Sequence, residues 1–423
     1  MRQRRALTHV GGEVTREGAN EESLALAHAL DVARSTGEEG DPARAHVHGF
    51  HVYPARMHPV TATRLVEITS VAGTKVLDPF CGSGTVVVSA MLARRDAIGV
   101  DLNPLAVLLT SRKVAVRDDA YTERLVAAAA RVREHADLRR TKKAGALRRY
   151  GPEDVAAFDP HVLLELDSIR DAMERETDGV VRDDLRVVLS AILVKVSRQR
   201  ADTASARDDE APKRIAAGYT AKLFVKKTEE LVRRTRELAA LLPGSPSSGD
   251  PPGTRRPRAL VFAGDARELA KVRDGEAAAI VTSPPYAGTY DYVAHHALRL
   301  RWLGLASAQF EKGEIGSRRE LGRGGPGALR TGEDQRGAAL AAMHRFLAPR
   351  GRAAFVVADS ELGGRAVRAN ETFAAVAPRR GFRIVARAAQ SRPHFHDARA
   401  FARSPRLEHV ILLERDASGR PVV

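Results

Sequence analysis

Cysteine is nearly absent from this chain: Cys81 is the only one in 423 residues. A lone thiol forms no internal disulfide and no cysteine-rich zinc site, so neither a redox nor a metal framework is expected to hold the fold. Four histidines, His46, His48, His51 and His58, lie close together but lack Cys or Glu partners at familiar ligand spacing, and no metal is expected there either. Long apolar runs are missing too. Nothing is long enough to cross a bilayer, and the Arg-rich start lacks the apolar core of a secretory signal, so the expected location is the cytoplasm, with no membrane partner. Acidic residues are outnumbered, 53 Asp and Glu against 68 Lys and Arg, for a formal net charge of +15. Such a surplus favours a polyanionic partner, whose phosphates release counterions on binding, although part of it reflects an Arg- and Ala-rich composition.

Residues 1–45 are polar and charged with little periodicity, which predicts a segment without fixed structure. From there strand and helix alternate. Lys75 to Phe80 reads as a strand, Thr85 to Arg94 as a helix, Ala97 to Asp101 as a second strand, and Asn103-Pro opens another helix. This is the pattern of a doubly wound α/β sheet. Residues 46–118 are therefore assigned to the first part of a catalytic domain. Residues 119–243 read as an all-helical insert with many Lys and Arg, and 244–257, rich in Pro, Gly and Ser, as a flexible linker. Strands resume over 258–423, the second part of the catalytic domain.

Two stretches carry the chemistry. In the first, Val76-Leu-Asp-Pro-Phe-Cys-Gly-Ser-Gly-Thr85, a strand runs into a glycine-rich turn. Gly82 and Gly84 let the backbone approach a ligand with no side chain between, and Thr85 enters or caps the helix that follows. Asp101, at the end of the next strand, is placed to accept from two ribose hydroxyls. No Gly-Lys-Ser/Thr follows the turn, which argues against an ATP-hydrolysing loop. Asp78 beside Pro79 and Phe80 repels a pyrophosphate but suits a cationic or zwitterionic ligand, favouring S-adenosylmethionine over NAD. Asp265, after a third strand, is read either as a contact to the adenine amino group or as a helix cap. The second stretch is Ser283, Pro284, Pro285 and Tyr286 at a later strand end. The prolines stiffen the loop and remove two N–H donors, leaving carbonyls free to accept from an exocyclic amine, and Tyr286 offers a face for an extruded base. Cytosine C5 chemistry needs a cysteine nucleophile, and Cys81 lies inside the donor turn, so that route is closed.

On these motifs the chain resembles bacterial amino-methylating DNA methyltransferases, the N4-cytosine/N6-adenine type. Ser-Pro-Pro-Tyr is the variant typical of the cytosine-N4 subgroup, and Phe50-His-Val-Tyr-Pro-Ala-Arg-Met-His-Pro59 resembles the segment that closes over the cofactor's methionine part. The resemblance implies an α/β, mostly parallel, seven-stranded Rossmann-like sheet with an inserted helical domain. It further implies S-adenosylmethionine held by Tyr53, Pro54, Asp78, Pro79, Phe80, Gly82, Gly84, Thr85, Asp101, Asn103 and Asp265. A flipped base would be methylated at Ser283 to Tyr286. The insert falls between the second and third strands, earlier than usual. Arg198, Arg200, Lys213 and Arg214, flanking a break between helices, are candidate nucleic-acid contacts, with a solvated charged surface as the alternative. DNA is the expected partner, and a cognate restriction endonuclease stands as an open one. Rival readings are an RNA methyltransferase, an adenine-N6 enzyme, or a non-catalytic binder retaining the donor pocket.

Overall fold

Three long-range features organise the chain: a twisted sheet, two helical layers flanking it, and a helical insert that shares a core with the sheet's edge. The computed structural model describes residues 12–33, 40–199, 214–286, 291–315, 325–362, 365–392, 399–402 and 404–416, with no side-chain description for 325–332, Leu362 and Arg399. In chain order the elements are β1 (Val14–Glu17), α1 (Glu21–Leu30), α2 (Pro59–Thr69), β2 (Lys75–Asp78), α3 (Thr85–Leu92), β3 (Asp96–Asp101) and α4 (Pro104–Val114). The insert contributes α5 (Asp119–Thr141), α6 (Pro152–Ala157), α7 (Pro160–Glu174), α8 (Gly179–Val196) and α9 (Tyr219–Leu241). Then come β4 (Ala259–Ala263), β5 (Ala277–Thr282), α10 (Tyr292–Leu303), α11 (Ala308–Gly313) and α12 (Gly325–Phe346). The chain closes with β6 (Leu347–Ala358), a small hairpin β7 (Ser360–Leu362) and β8 (Arg365–Val367), α13 (Ala369–Val376), β9 (Phe382–Ser391) and β10 (Leu407–Arg415).

The main sheet runs β1-β9-β10-β6-β5-β2-β3-β4 among the described residues. Strands β4, β3, β2, β5 and β6 are parallel, whereas β10 is antiparallel to both β6 and β9. Seven of these strands make the expected α/β sheet. The eighth, β1, was not anticipated, because it lies in the segment read as unstructured. It pairs with β9 from Val14 opposite Gln390 to Glu17 opposite Arg387, and α1 follows with Asn20 as its cap and Leu26, Ala29 and Leu30 fully buried. A four-residue edge strand carries too little apolar periodicity to register in a charged stretch.

Side-chain alternation along the strands divides the core. Val76, Ala279 and Val281 face the layer of α2 and α3, while Leu77 and Ile280 face the layer containing α12. That is the two-sided burial of a parallel sheet. The insert builds its own core around α8, which buries Leu185, Val188, Leu189, Ile192 and Leu193, and the same cluster takes in Leu105 and Leu109 of α4 and Trp302 of α10. Insert and sheet edge therefore form one packed body. Residues 244–257, expected as a flexible linker, form hydrogen-bonded turns: Asp250 accepts from the Gly244 N–H at 2.8 Å and pairs with Arg94.

Candidate active site

At the carboxyl ends of β2, β3 and β5 lies an open cleft of about 680 Å³, space open to solvent included, in the position expected of a ligand site in an open α/β sheet. The glycine turn after β2 shapes one wall. Gly82 has φ +49 and Gly84 φ +82, left-handed conformations that disfavour side chains. A Cβ on Gly84 would sit 2.7 Å from the Thr110 side chain, so α3 and α4 meet only because none is present.

Asp101 anchors the second wall. Its carboxylate accepts from the Gly82 N–H and the Asn103 N–H, each at 2.8 Å. Burial pushes the carboxyl up to about 6, against the pull of those backbone donors. Tyr53 covers the turn. Its ring lies where a Gly82 side chain would point, 3.3 Å from such a Cβ, its hydroxyl accepts from Asn103 Nδ2 at 3.1 Å, and the ring stacks on His296 at 4.8 Å between centroids.

Of the residues anticipated for the donor, Tyr53, Pro54, Pro79, Phe80, Gly82, Asp101, Asn103 and Asp265 line this cleft. Asp78, Gly84 and Thr85 do not line it. Asp78 is buried beneath the turn, where its Oδ1 accepts from the Thr282 hydroxyl at 2.6 Å and from the Phe80 N–H at 3.2 Å. Burial raises its carboxyl to about 7, with the Thr282 hydrogen bond opposing. It is a clamp between β2 and β5 rather than a wall. Thr85 is buried in the first turn of α3 and Gly84 packs on Thr110. Asp265 reaches the cleft while doing a local job. Its Oδ1 accepts from the Arg267 N–H at 2.8 Å, and its carboxylate pairs with the Arg267 guanidinium.

The Pro-Pro loop leaves the end of β5 and meets the donor residues. Ser283 and Pro285 line the same cleft as Gly82 and Asp101. Pro285 also lines a second cavity of about 360 Å³, together with Pro284 and Tyr286. The Tyr286 hydroxyl lies 3.3 Å from Ser283 Oγ and 3.3 Å from a carboxylate oxygen of Glu408 on β10. Glu408 in turn pairs with Arg392. Cys81 is buried and its thiol is pushed well up by burial and by Asp101 and Asp78, the wrong environment for a nucleophile.

Sequence reasoning missed several cleft neighbours. Phe310, Gly313, Glu314 and Ile315 line the donor cleft, and none of them stands in a recognisable motif. Thr282 and Glu408 gave no signal, since each acts through a residue distant in sequence. His296, which as sequence reads equally as a phosphate or base contact or as part of a helix surface, is fully buried under Tyr53, and neither ring nitrogen has a partner among the described residues.

Of the basic candidates, Arg198 spends its guanidinium on Asp159 at 2.9 Å and on the Ala156 carbonyl. Arg214 is exposed. Arg200 and Lys213 lie outside the described residues. Among the described residues no group of three or more His, Cys, Asp or Glu is placed to hold a metal, and no helix is long and apolar enough to cross a membrane.

Five parallel strands, an antiparallel strand beside them, a glycine turn after the first, an acidic residue ending the second and a Pro-Pro loop after the neighbouring strand together make a Rossmann-like α/β fold. Residues 25–111 match the family described as DNA methylase, a stretch that holds Tyr53, the glycine turn and Asp101. The chain is similar to the Type II methyltransferase M.MvaI of Kocuria varians, 32% identical over 82 residues, which is 19% of this chain and 18% of that protein. It is also similar to the Type II methyltransferase M.MjaII of Methanocaldococcus jannaschii, 33% identical over 73 residues, 17% of this chain and 14% of that one. The matched stretches thus span less than a fifth of either curated relative. Among solved structures, the rRNA methyltransferase AviRa of Streptomyces viridochromogenes aligns over 93% of this chain and 96% of its own, at 11% identity and a TM-score of 0.35. A TehB-like S-adenosylmethionine-dependent methyltransferase of Corynebacterium glutamicum aligns over 84% and 86%, at 12% identity and a TM-score of 0.30. The similarity is thus confined to residues 25–111 and the two short stretches shared with these Type II methyltransferases, and it supports S-adenosylmethionine as the cofactor.

Proposed function

We propose that this chain methylates an exocyclic amine of a DNA base, cytosine N4, with S-adenosylmethionine as the donor. The observation that carries the reading is that one cleft is lined both by Gly82 and Asp101 and by Ser283 and Pro285. The residues fit the cofactor. Asp101 is a carboxylate with backbone donors on both oxygens and lone pairs left for ribose hydroxyls. Gly82 leaves room for the Tyr53 ring to close over the turn, and Leu102, Ala266 and Phe310 give the cleft apolar walls for an adenine ring. When bound, the cofactor supplies an electrophilic methyl group on a sulfonium. The remaining work falls to the chain. Ser283 and the Pro284 carbonyl accept from the target amine and orient its lone pair. The cofactor would supply a methyl group to that nitrogen, its sulfur keeping the bonding pair as a neutral thioether, and the proton lost from the nitrogen would pass to solvent at the open cleft. Pro284 and Pro285 keep the loop rigid, and Tyr286 stacks on the base. Tyr53 excludes water from above.

The serine at the head of the loop favours cytosine over adenine. The test is methyl transfer to duplex DNA by the wild type and by a variant carrying Ser283→Ala and Tyr286→Ala. The variant should bind the cofactor normally and turn over at background. Unchanged transfer would remove this loop from the reaction. Transfer to tRNA in preference to duplex DNA would move the substrate to RNA.

A further inference from the structure

The cavity of about 360 Å³ beyond the Pro-Pro loop has a composition that the reading above leaves unexplained. Its lining is apolar in large part: Pro284, Pro285 and the Tyr286 ring from the loop, and Val357 and Phe373 from β6 and α13. Beside the Tyr286 hydroxyl, three polar residues line it: Arg336 from α12, Ser360 at the start of β7 and Thr372 from α13. The Nε of Arg336 is buried and has no hydrogen-bond partner among the described residues. A buried guanidinium nitrogen without an acceptor costs free energy unless something supplies that acceptor. The cavity lies at the carboxyl ends of β5 and β6, on the side of the sheet's switch away from the donor turn. Pro285 borders both this cavity and the donor cleft, so a ring held here lies against the rim where the donor sits.

We propose that this cavity receives the extruded base and that Arg336 selects cytosine by pairing with the N3 and O2 acceptors next to its N4 amine. The proposal rests on the amino-methylation reading and deepens it. A guanidinium only donates, and it donates in a fork. The edge of cytosine beside N4 presents two acceptors in succession, N3 and then O2. The edge of adenine beside N6 presents N1 and then a carbon-bound hydrogen, which leaves one arm of the fork unpaired. The apolar walls hold either ring by its faces, so the discrimination falls to the edge. Arg336 is a specificity-determining residue on this account and makes no contact with the methyl group.

The experiment expresses wild type, Arg336→Gln and Arg336→Lys in a bacterial host without DNA methylation of its own and quantifies methylated nucleosides in genomic DNA by mass spectrometry. Purified proteins are assayed on the same unmethylated DNA, with cofactor affinity measured by calorimetry. The wild type should yield N4-methylcytosine. Arg336→Gln should lose about 10- to 100-fold in kcat/KM for DNA with cofactor affinity unchanged, which also shows that it is folded. Arg336→Lys should fall between, because one ammonium cannot satisfy both acceptors. N6-methyladenine from the wild type overturns the proposal while leaving amino methylation of DNA standing. So does an Arg336→Gln rate within twofold of wild type, or, if that variant does not fold, an unimpaired Arg336→Lys. A wild type that methylates neither base overturns this proposal together with the reading beneath it.

Discussion

Replacing Thr282 by valine tests the joint between the two halves of the site. Thr282 is fully buried at the end of β5, and its hydroxyl donates to the buried Asp78 carboxyl at 2.6 Å. Valine keeps the shape and removes the donor. The carboxyl of Asp78 sits at about 7, raised by burial above its ordinary 3.8. In the wild type, therefore, the folded state holds a proton between about pH 4 and pH 7 that the unfolded state has released. Its contribution to stability is full below the unfolded value, declines as pH rises towards 7 and is flat beyond. The Thr282 hydroxyl favours the ionised form, so its loss moves the folded value higher and extends that decline. At pH 6, where Asp78 is mostly protonated, the bond is between neutral groups and its loss costs about 1 kcal/mol. At pH 8.5 it supports a buried carboxylate, and the cost rises to about 2–3 kcal/mol. Urea unfolding of both proteins at the two pH values measures the difference through the midpoint and slope. A penalty equal at both pH values would mean that the hydroxyl does not support an ionised Asp78, and one below about 0.5 kcal/mol would mean that the bond contributes nothing.

Asp101→Ala should weaken cofactor binding by tenfold or more, because two hydroxyls lose a charged acceptor (about 1.5–3 kcal/mol each at most); equal calorimetric affinities would take Asp101 out of the site. In the wild type the same affinity should fall as pH drops through about 6, where the Asp101 carboxyl protonates; a flat profile between pH 5 and 7.5 would contradict it. Tyr286→Phe and Glu408→Gln should each slow methyl transfer several-fold without altering cofactor affinity, since the Glu408 carboxylate holds the tyrosine hydroxyl. Their effects should be non-additive in a double-mutant cycle, and simple additivity would show that the contact does no positioning. Asp184→Asn should destabilise the fold by about 3–5 kcal/mol, because Arg112, Arg117 and Tyr121 all converge on that buried carboxylate; an unchanged denaturation midpoint would refute the anchoring. DNA affinity should fall steeply with salt, its logarithm linear in log salt concentration, and a flat series would separate the surplus of positive charge from DNA binding.

The parts legible in the sequence are those whose meaning is local. A glycine turn, a strand-end aspartate and a Pro-Pro loop each declare a backbone shape within a few residues, and the cleft assembles from them: Gly82, Asp101, Ser283 and Pro285 meet as anticipated. What stayed hidden depends on pairing across the sheet. Glu408 reaches Tyr286 because β10 inserts antiparallel between β6 and β9, placing Glu408 opposite Ala358. Edge strand β1 exists because β9 offers it a ladder, an opportunity its own charged residues do not announce. Phe310 and Ile315 are buried against the cleft, yet one large apolar side chain in the six-residue helix α11 and one just beyond it leave no periodicity to detect.

The reassignment of Asp78 changes the physical basis for choosing the cofactor. A carboxylate beside the glycine turn was read as a charge facing the ligand, favouring a sulfonium over a pyrophosphate. In the folded chain that carboxylate faces Thr282 and is withdrawn beneath the turn. Its electrostatic influence on a ligand is thus indirect, and at neutral pH it is only partly ionised. Discrimination against a dinucleotide then falls on shape. Tyr53 lies over Gly82, with its hydroxyl tied to Asn103 and its ring stacked on buried His296, so the space above the turn that a pyrophosphate would cross is roofed by an aromatic ring. Asp78 acts instead on geometry. By fastening β2 to β5 at their carboxyl ends, it fixes the spacing between the donor turn and the Pro-Pro loop, and proximity at that rim is what the proposed reaction most requires.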